Sequence, residues 1–307
     1  MFNEAQNLLL VRTELDTVFF QNFDYDETEP GIATSRTGDL FREISIDRLS
    51  YIGAVNKGTG LWGQTAETQT VPLENPSVGN KYVTNVLDYT NSIEISKNLF
   101  DDMMHDVWSE DVRNFAMMAR VTQDANAFGI FRNAFTTVLT PDGSPLAGTH
   151  TLLGGGTVSN VISGALTTDT LNVAVTALRE QKNQNGIILG GSAAWLVVPP
   201  VLLKKAVEIT DSVLIADSGN NAINFYRSML GIRPVSSPYL GAPAGGSDTA
   251  WFLLSRNHAI RRIIRQGVQT ALRDWSATNN RTYLYQGNFR EVMAAYDYAG
   301  FIASTGL

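Results

Sequence analysis

The stretch "PDGSPLAGTHTLLGGGTVSN", Pro141 to Asn160, gathers a run of glycines, several hydroxyls and one of three histidines in the chain. Phosphate loops and nucleophile turns share that composition. A Walker-type loop requires a lysine and a hydroxyl directly after its last glycine, so that amides, ammonium and Mg²⁺ converge on the phosphates. "GGGTVSN" has no lysine. A dinucleotide fingerprint follows a strand, opens a helix and has an acidic residue about 20 positions on. This segment follows a helical pattern instead, and Asp169 comes too early. His150 could serve Ser144 or Thr149 as a base, but no Gly-x-Ser-x-Gly elbow lifts either hydroxyl onto a strained turn. The expected role of His150 is a surface hydrogen bond, and on the residues alone the glycines are either a reactive loop or slack.

The other reactive groups are equally dispersed. His105 lies beside Asp101, Asp102 and Asp106, but no second histidine follows at helical spacing, so a solvated acidic face is expected rather than a metal site. His258 reads as a turn between strands. Glu67, Glu74, Asp211, Asp217 and Asp297 are the carboxylates weighed for paired acid–base work, which only their separation in space could establish. Arg261, Arg262 and Arg265 in "AIRRIIRQG" alternate with isoleucines, as in a strand whose charged face meets acidic neighbours. The absence of cysteine excludes thiolate metal sites, disulfides and a cysteine nucleophile. No catalytic, cofactor or metal residue is therefore expected.

The elements that must position these groups have an unusual order. The 307 residues suffice for one large or two smaller domains, with 44% hydrophobic residues and a mean hydropathy of -0.06 in the ordinary globular range. A net charge of -7 removes the basic footprint of a sequence-reading nucleic-acid binder. The run "AAWLVVPPVLL" is shorter than the roughly 20 residues a membrane helix needs. Glu4 stands where a secretory signal carries a basic residue, so the chain is expected to stay in the cytoplasm.

Up to about residue 48 an extended arm begins with a short helix. Tyr51 to Ser96, rich in Thr, Val, Tyr, Gly and Asn, reads as one long two-stranded excursion with too little apolar surface for a core of its own. Phe100, Met104, Trp108, Val112, Phe115, Ala119, Thr122, Asn126 and Gly129 recur at helical steps. They predict a single helix of roughly 35 residues, about 50 Å long. From about residue 160 the texture becomes α/β. A helix starts at "TTDT", "AAWLVV" is a buried strand, and "PPVLLKKAVEI" is a helix opened by prolines. "GIRPVSSPYL", "DTAWFLLS" and "AIRRIIRQ" are strands, and "RTYLYQGNFREVMAAYDYAGFIAST" is two long strands, the second returning toward an interior.

This order, with "DGSPLAGTHTLLGGGT", "LTTDTLNVAVTALREQKNQNG", "WLVVPPVLLKKAVEI" and "NFYRSMLGIRPVSSPYL", resembles the major capsid proteins of tailed bacteriophages, closest to the Mu-like major head subunit branch. The resemblance implies an α+β, HK97-type fold. Its parts would be an N-arm (1–50), an extended E-loop hairpin (51–95), a P-domain with the spine helix (96–159), an A-domain (160–258) and return strands of the P-domain (259–307). It implies hexamers and pentamers in an icosahedral shell around double-stranded DNA, with portal, scaffold and decoration proteins as partners. The shell would be assembled in the host cytoplasm and found in the virion, and a scaffold segment would be separate or already removed. Leu61, Trp62, Val71 and Tyr82 would be contacts with a neighbouring copy. Lys57 and Lys81 are the lysines available to the crosslink some relatives form, and they are not expected to form one. A nanocompartment shell of the same fold and a soluble carboxylate hydrolase are the rival readings.

Overall fold

The computed structural model describes residues 4–23, 31–38, 40–67, 69–71, 73–74, 78–102, 105–213, 223–274 and 281–307. The chain opens with helix α1 (Glu4–Phe23), then strands β1 (Arg42–Ser45), β2 (Ser50–Asn56), β3 (Val78–Asn85) and β4 (Leu87–Ser96). Helices α2 (Lys97–Asp101) and α3 (His105–Arg132) follow, then the short strands β5 (Thr149–Thr151), β6 (Thr157–Ser159) and β7 (Val161–Ile162). Next come α4 (Thr168–Arg179), β8 (Ala193–Val198), α5 (Pro200–Asp211), β9 (Arg233–Ser236) and β10 (Trp251–Ser255). The chain closes with β11 (Ile260–Arg273), β12 (Thr282–Ala295) and β13 (Phe301–Ser304).

Two sheets form the body. One is four-stranded in the order β1-β11-β12-β4, the other five-stranded in the order β7-β13-β10-β8-β9. Helix α3 has 28 residues, and its length is explained by the two cores it joins. Trp108, Val112 and Phe115 pack with Leu15 and Phe19 of α1 and Tyr285 of β12. Farther along, Phe128 and Phe131 pack with Phe252 and Phe301 of the five-stranded sheet. That sheet's other face is covered by α4 through Leu171, Val175 and Leu178, and by Ala206 of α5. α4 begins with a reciprocal cap between Thr167 and Thr170, and α5 with Pro199 and Pro200, where the missing amide of proline has no helical partner to lose.

Four expectations change. The arm begins with a 20-residue helix, not a short one, because Val11, Leu15, Phe19 and Phe23 at four-residue steps all find a buried place against α3. The spine is α3 preceded by the separate α2, while Met103 and Met104 of the expected stripe lie outside the described residues. The two-stranded excursion ends at Asn85. Leu87–Ser96 is the edge strand β4 beside β12, held there because Ile95 is buried and Ile93 packs against the first core. The last strand, β13, joins the five-stranded sheet next to β10 rather than extending the long-stranded one.

Candidate functional site

The 141–160 segment is ordered, not slack. β5 and β6 pair antiparallel, His150 opposite Val158, through a turn in which Gly155 and Gly156 take φ of +93° and +88°, angles that L side chains seldom adopt. Asn160 is fully buried, donating to the Leu146 carbonyl at 2.7 Å and accepting from the Gly148 amide at 2.9 Å. His150 is also fully buried, which overturns its expected surface position. Its Nδ1 lies 3.0 Å from an Asp142 oxygen and its Nε2 3.3 Å from the Leu146 carbonyl. Its ring stacks on Tyr298, 4.7 Å between centroids. Burial raises the Asp142 pKa, but the Thr140 hydroxyl, the Ser144 amide and His150 outweigh that and hold it below the usual carboxylate value. Neither Ser144 nor Thr149 hydrogen-bonds to the imidazole among the described contacts, so no nucleophile–base pair exists here.

The cluster is a clasp. Tyr298 donates through its hydroxyl to the Lys182 carbonyl at 2.7 Å, and Gln181 bridges the Tyr298 carbonyl and the Gly300 amide. His150→Ala is expected to lower folding stability by about 3 kcal/mol, since it opens a cavity under Tyr298 and removes the partner of Asp142 Oδ2. Urea unfolding at concentrations below self-association measures it, and a loss under about 1 kcal/mol, the level of an ordinary surface change, would refute the clasp.

The weighed carboxylates do not converge. Glu67 and Glu74 lie in the segment between β2 and β3, Asp211 at the end of α5 near Arg227 (3.7 Å), and Asp217 outside the described residues. Asp297 is held by the Tyr298 amide and by Gln184, and burial pushes its pKa up. The side chains of His105 and Asp106 lie outside the described residues, and His258 is buried in the turn between β10 and β11. Among the described residues no group of three or more His, Asp or Glu side chains is placed to hold a metal ion.

Two carboxylates that the sequence reading did not single out do meet: Glu43 and Glu291, on either side of Arg262. The Arg262 guanidinium donates to Glu291 Oε2 from Nε at 2.9 Å and from Nη2 at 2.7 Å, and to Glu43 Oε1 from Nη1 at 2.9 Å. Both Arg262 and Glu291 are buried. Burial raises the Glu291 pKa, and the attraction of Arg262 offsets it in part. A carboxylate pair that sandwiches a guanidinium presents no proton to a substrate, so the geometry is structural. The register Glu43↔Arg262 across β1 and β11 creates it, and a pairing 219 residues apart leaves no mark in local sequence.

Several of the most exposed apolar side chains among the described residues are on the hairpin. β2 and β3 have no fully buried residue along either strand. Between them Trp62 is 97% exposed, Leu73 89%, Leu61 79% and Val71 78%. Tyr82 differs, because its ring stacks on Tyr296 at 4.1 Å and on Tyr51 at 6.0 Å, anchoring the hairpin root to its own chain. Gly53 faces Tyr82 across the ladder, where any Cβ would collide with the phenol ring. Sequence indicated the exposed residues through the lack of an apolar face, but not the root, whose third ring comes from beyond β12.

No curated protein matches the sequence. Solved structures show the same fold at low identity. The mature capsid of bacteriophage PhiM1 matches with a TM-score of 0.54 and 13% identity over 92% of this chain and 89% of that one. A virus-like particle from Pyrococcus furiosus matches with 0.56 and 8% over 95% and 98%. An encapsulin complex from Synechococcus elongatus matches with 0.51 and 11% over 92% of both chains. The family model described as phage capsid protein matches residues 81–304, well over half of the chain. With two sheets joined by one long helix, an outlying hairpin and this match, the chain belongs to the phage capsid protein family and has the HK97-type fold.

Proposed function

We propose that the chain is the major head subunit of a tailed bacteriophage, forming hexamers and pentamers that close into an icosahedral shell around double-stranded DNA. The observation that carries the reading is the hairpin: a β ribbon with no core of its own, bearing a Trp62 that is 97% exposed, in a member of a capsid family. Apolar surface of that kind on a protruding ribbon marks an association site, and a neighbouring copy that covers it satisfies the ribbon's burial. Leu61, Trp62 and Val71 are the proposed contacts, with Tyr82 fixing the angle of the root. The Mu-like branch, the division into N-arm, E-loop, P-domain and A-domain with the E-loop ending at Asn85, assembly in the host cytoplasm, and portal, scaffold and decoration partners belong to the same proposal. Heterologous contacts that close into rings are the symmetry such a subunit needs.

The likeness to an encapsulin supports a second reading, a nanocompartment shell of the same fold. Sedimentation and negative-stain microscopy of the full-length chain test the first. Closed particles of megadalton mass are expected, and a chain that remains a 33.5 kDa monomer at any concentration refutes both shells. Particle contents separate them, nucleic acid for the head subunit and protein cargo for the compartment.

A further inference from the structure

The four-stranded sheet treats its two faces differently. Glu43, Arg262 and Glu291 meet on the face toward α1 and α3, where the guanidinium is paired with both carboxylates. Arg261, one residue away, points to the opposite face, beside Ile263 and the aromatic root of the hairpin. Arg42 stands opposite Arg261 in the parallel register of β1 and β11. Arg42 donates to the Asn257 side chain at 3.2 Å, and Arg261 to the carbonyls of His258 at 2.9 Å and Ile260 at 3.4 Å. No ion pair engages either arginine among the described residues.

Burial and the like charge of Arg42 both lower the proton affinity of Arg261, so the pair is under repulsion in the isolated chain. Tyr51, Tyr82 and Tyr296 wall the site. Tyr296 is more than nine-tenths buried, with its hydroxyl beside that of Thr84. A guanidinium has five donors, and here the carbonyls hold it in place while most of those donors remain open for an anion.

We propose that Arg42 and Arg261 receive an Asp or Glu side chain from a second copy of this chain, at the root of the hairpin. The proposal rests on the shell reading. Every copy brings an excess of carboxylates, 30 acidic against 23 basic side chains. Two guanidiniums on adjacent strands suit a planar carboxylate, and the tyrosine wall around half-buried Arg261 admits a slender side chain better than a duplex backbone. The same contact would lock the hairpin's direction where it leaves the body.

The test compares the full-length chain with its Arg42→Gln/Arg261→Gln variant by sedimentation velocity across protein and salt concentration. The variant monomer is expected to stay within about 1 kcal/mol of wild type in folding stability, since the relieved repulsion is set against the lost hydrogen bonds to Asn257, His258 and Ile260. Its half-association concentration at 0.1 M salt is expected to rise about tenfold or more, with a shallower dependence on salt. Arg42→Gln alone, at an exposed position, gives the same direction should the double variant misfold. Association at wild-type concentrations with wild-type salt dependence overturns the proposal. So does normal association into particles that retain less nucleic acid, which would assign the pair to phosphate. A wild-type chain that never associates fails the shell reading itself, before any variant is compared.

Discussion

Arg262→Met is expected to lower the folding stability of the monomer by about 3–5 kcal/mol, because it strands Glu291 as a buried charge without its partner. The side chains of Arg262 and Glu291 are 5% and 3% exposed, so water cannot take over the lost contacts. Three side-chain contacts at 2.7–2.9 Å disappear together, along with a weaker one to the Ser35 carbonyl at 3.4 Å. Glu43, half in solvent, relaxes outward and loses little. The double variant Arg262→Met/Glu291→Leu is expected to recover most of the loss, since a buried ion pair and an apolar pair of similar volume are close in free energy.

The pH dependence identifies the stranded group. Burial already raises the Glu291 pKa in the native chain, against the pull of Arg262, and removing that pull raises it further. A carboxylate whose folded pKa exceeds its unfolded value binds its proton more tightly when folded. The defect is therefore relieved below the unfolded value, near 4.3, and grows as pH rises toward the folded one. Urea unfolding of Arg262→Met is expected to show a larger loss at pH 7 than at pH 4. A loss that is equal at both, or restored by neither acid nor Glu291→Leu, would mean the side chain acts through packing alone.

What the sequence discloses here follows the range of each interaction. The spine helix is legible because Trp108, Val112 and Phe115 repeat locally, and the α/β part because Thr167, Pro199 and Pro200 punctuate its helices. The junction at Asn85 is not, since β3 and β4 both alternate and only the partner strand tells a free ribbon from a sheet edge. His150 looks like a loop histidine until Tyr298, 148 residues on, covers its ring. The strand carrying Arg261 and Arg262 was expected to meet acidic neighbours, and one face does. Which arginine is answered depends on the pleat and on a parallel register with β1, neither of which is local. Order along the chain was enough for the family resemblance, and register in space was needed for the charges.

Leu61→Ser/Trp62→Ser is expected to leave the monomer's folding stability within about 0.5 kcal/mol of wild type, as substitutions at exposed positions usually do. The same change should raise the half-association concentration by roughly 30-fold or more, since a buried interfacial tryptophan contributes about 2 kcal/mol or more. The contrast between the two measurements is what matters: a side chain that is 97% exposed in the monomer has almost nothing to lose on its own chain, so any large effect must arise from another one. Tyr82→Ala supplies the opposite case, because its ring is stacked on Tyr296 and its loss should appear in the unfolding of the monomer as well. Salt distinguishes this defect from that of the Arg42 and Arg261 pair. An apolar contact weakens little between 0.05 and 0.5 M NaCl, whereas exposed charge pairs are screened as the Debye length shrinks below about 10 Å. If Leu61→Ser/Trp62→Ser destabilises the monomer instead, or associates as wild type does, the hairpin is not the surface through which copies of this chain hold one another.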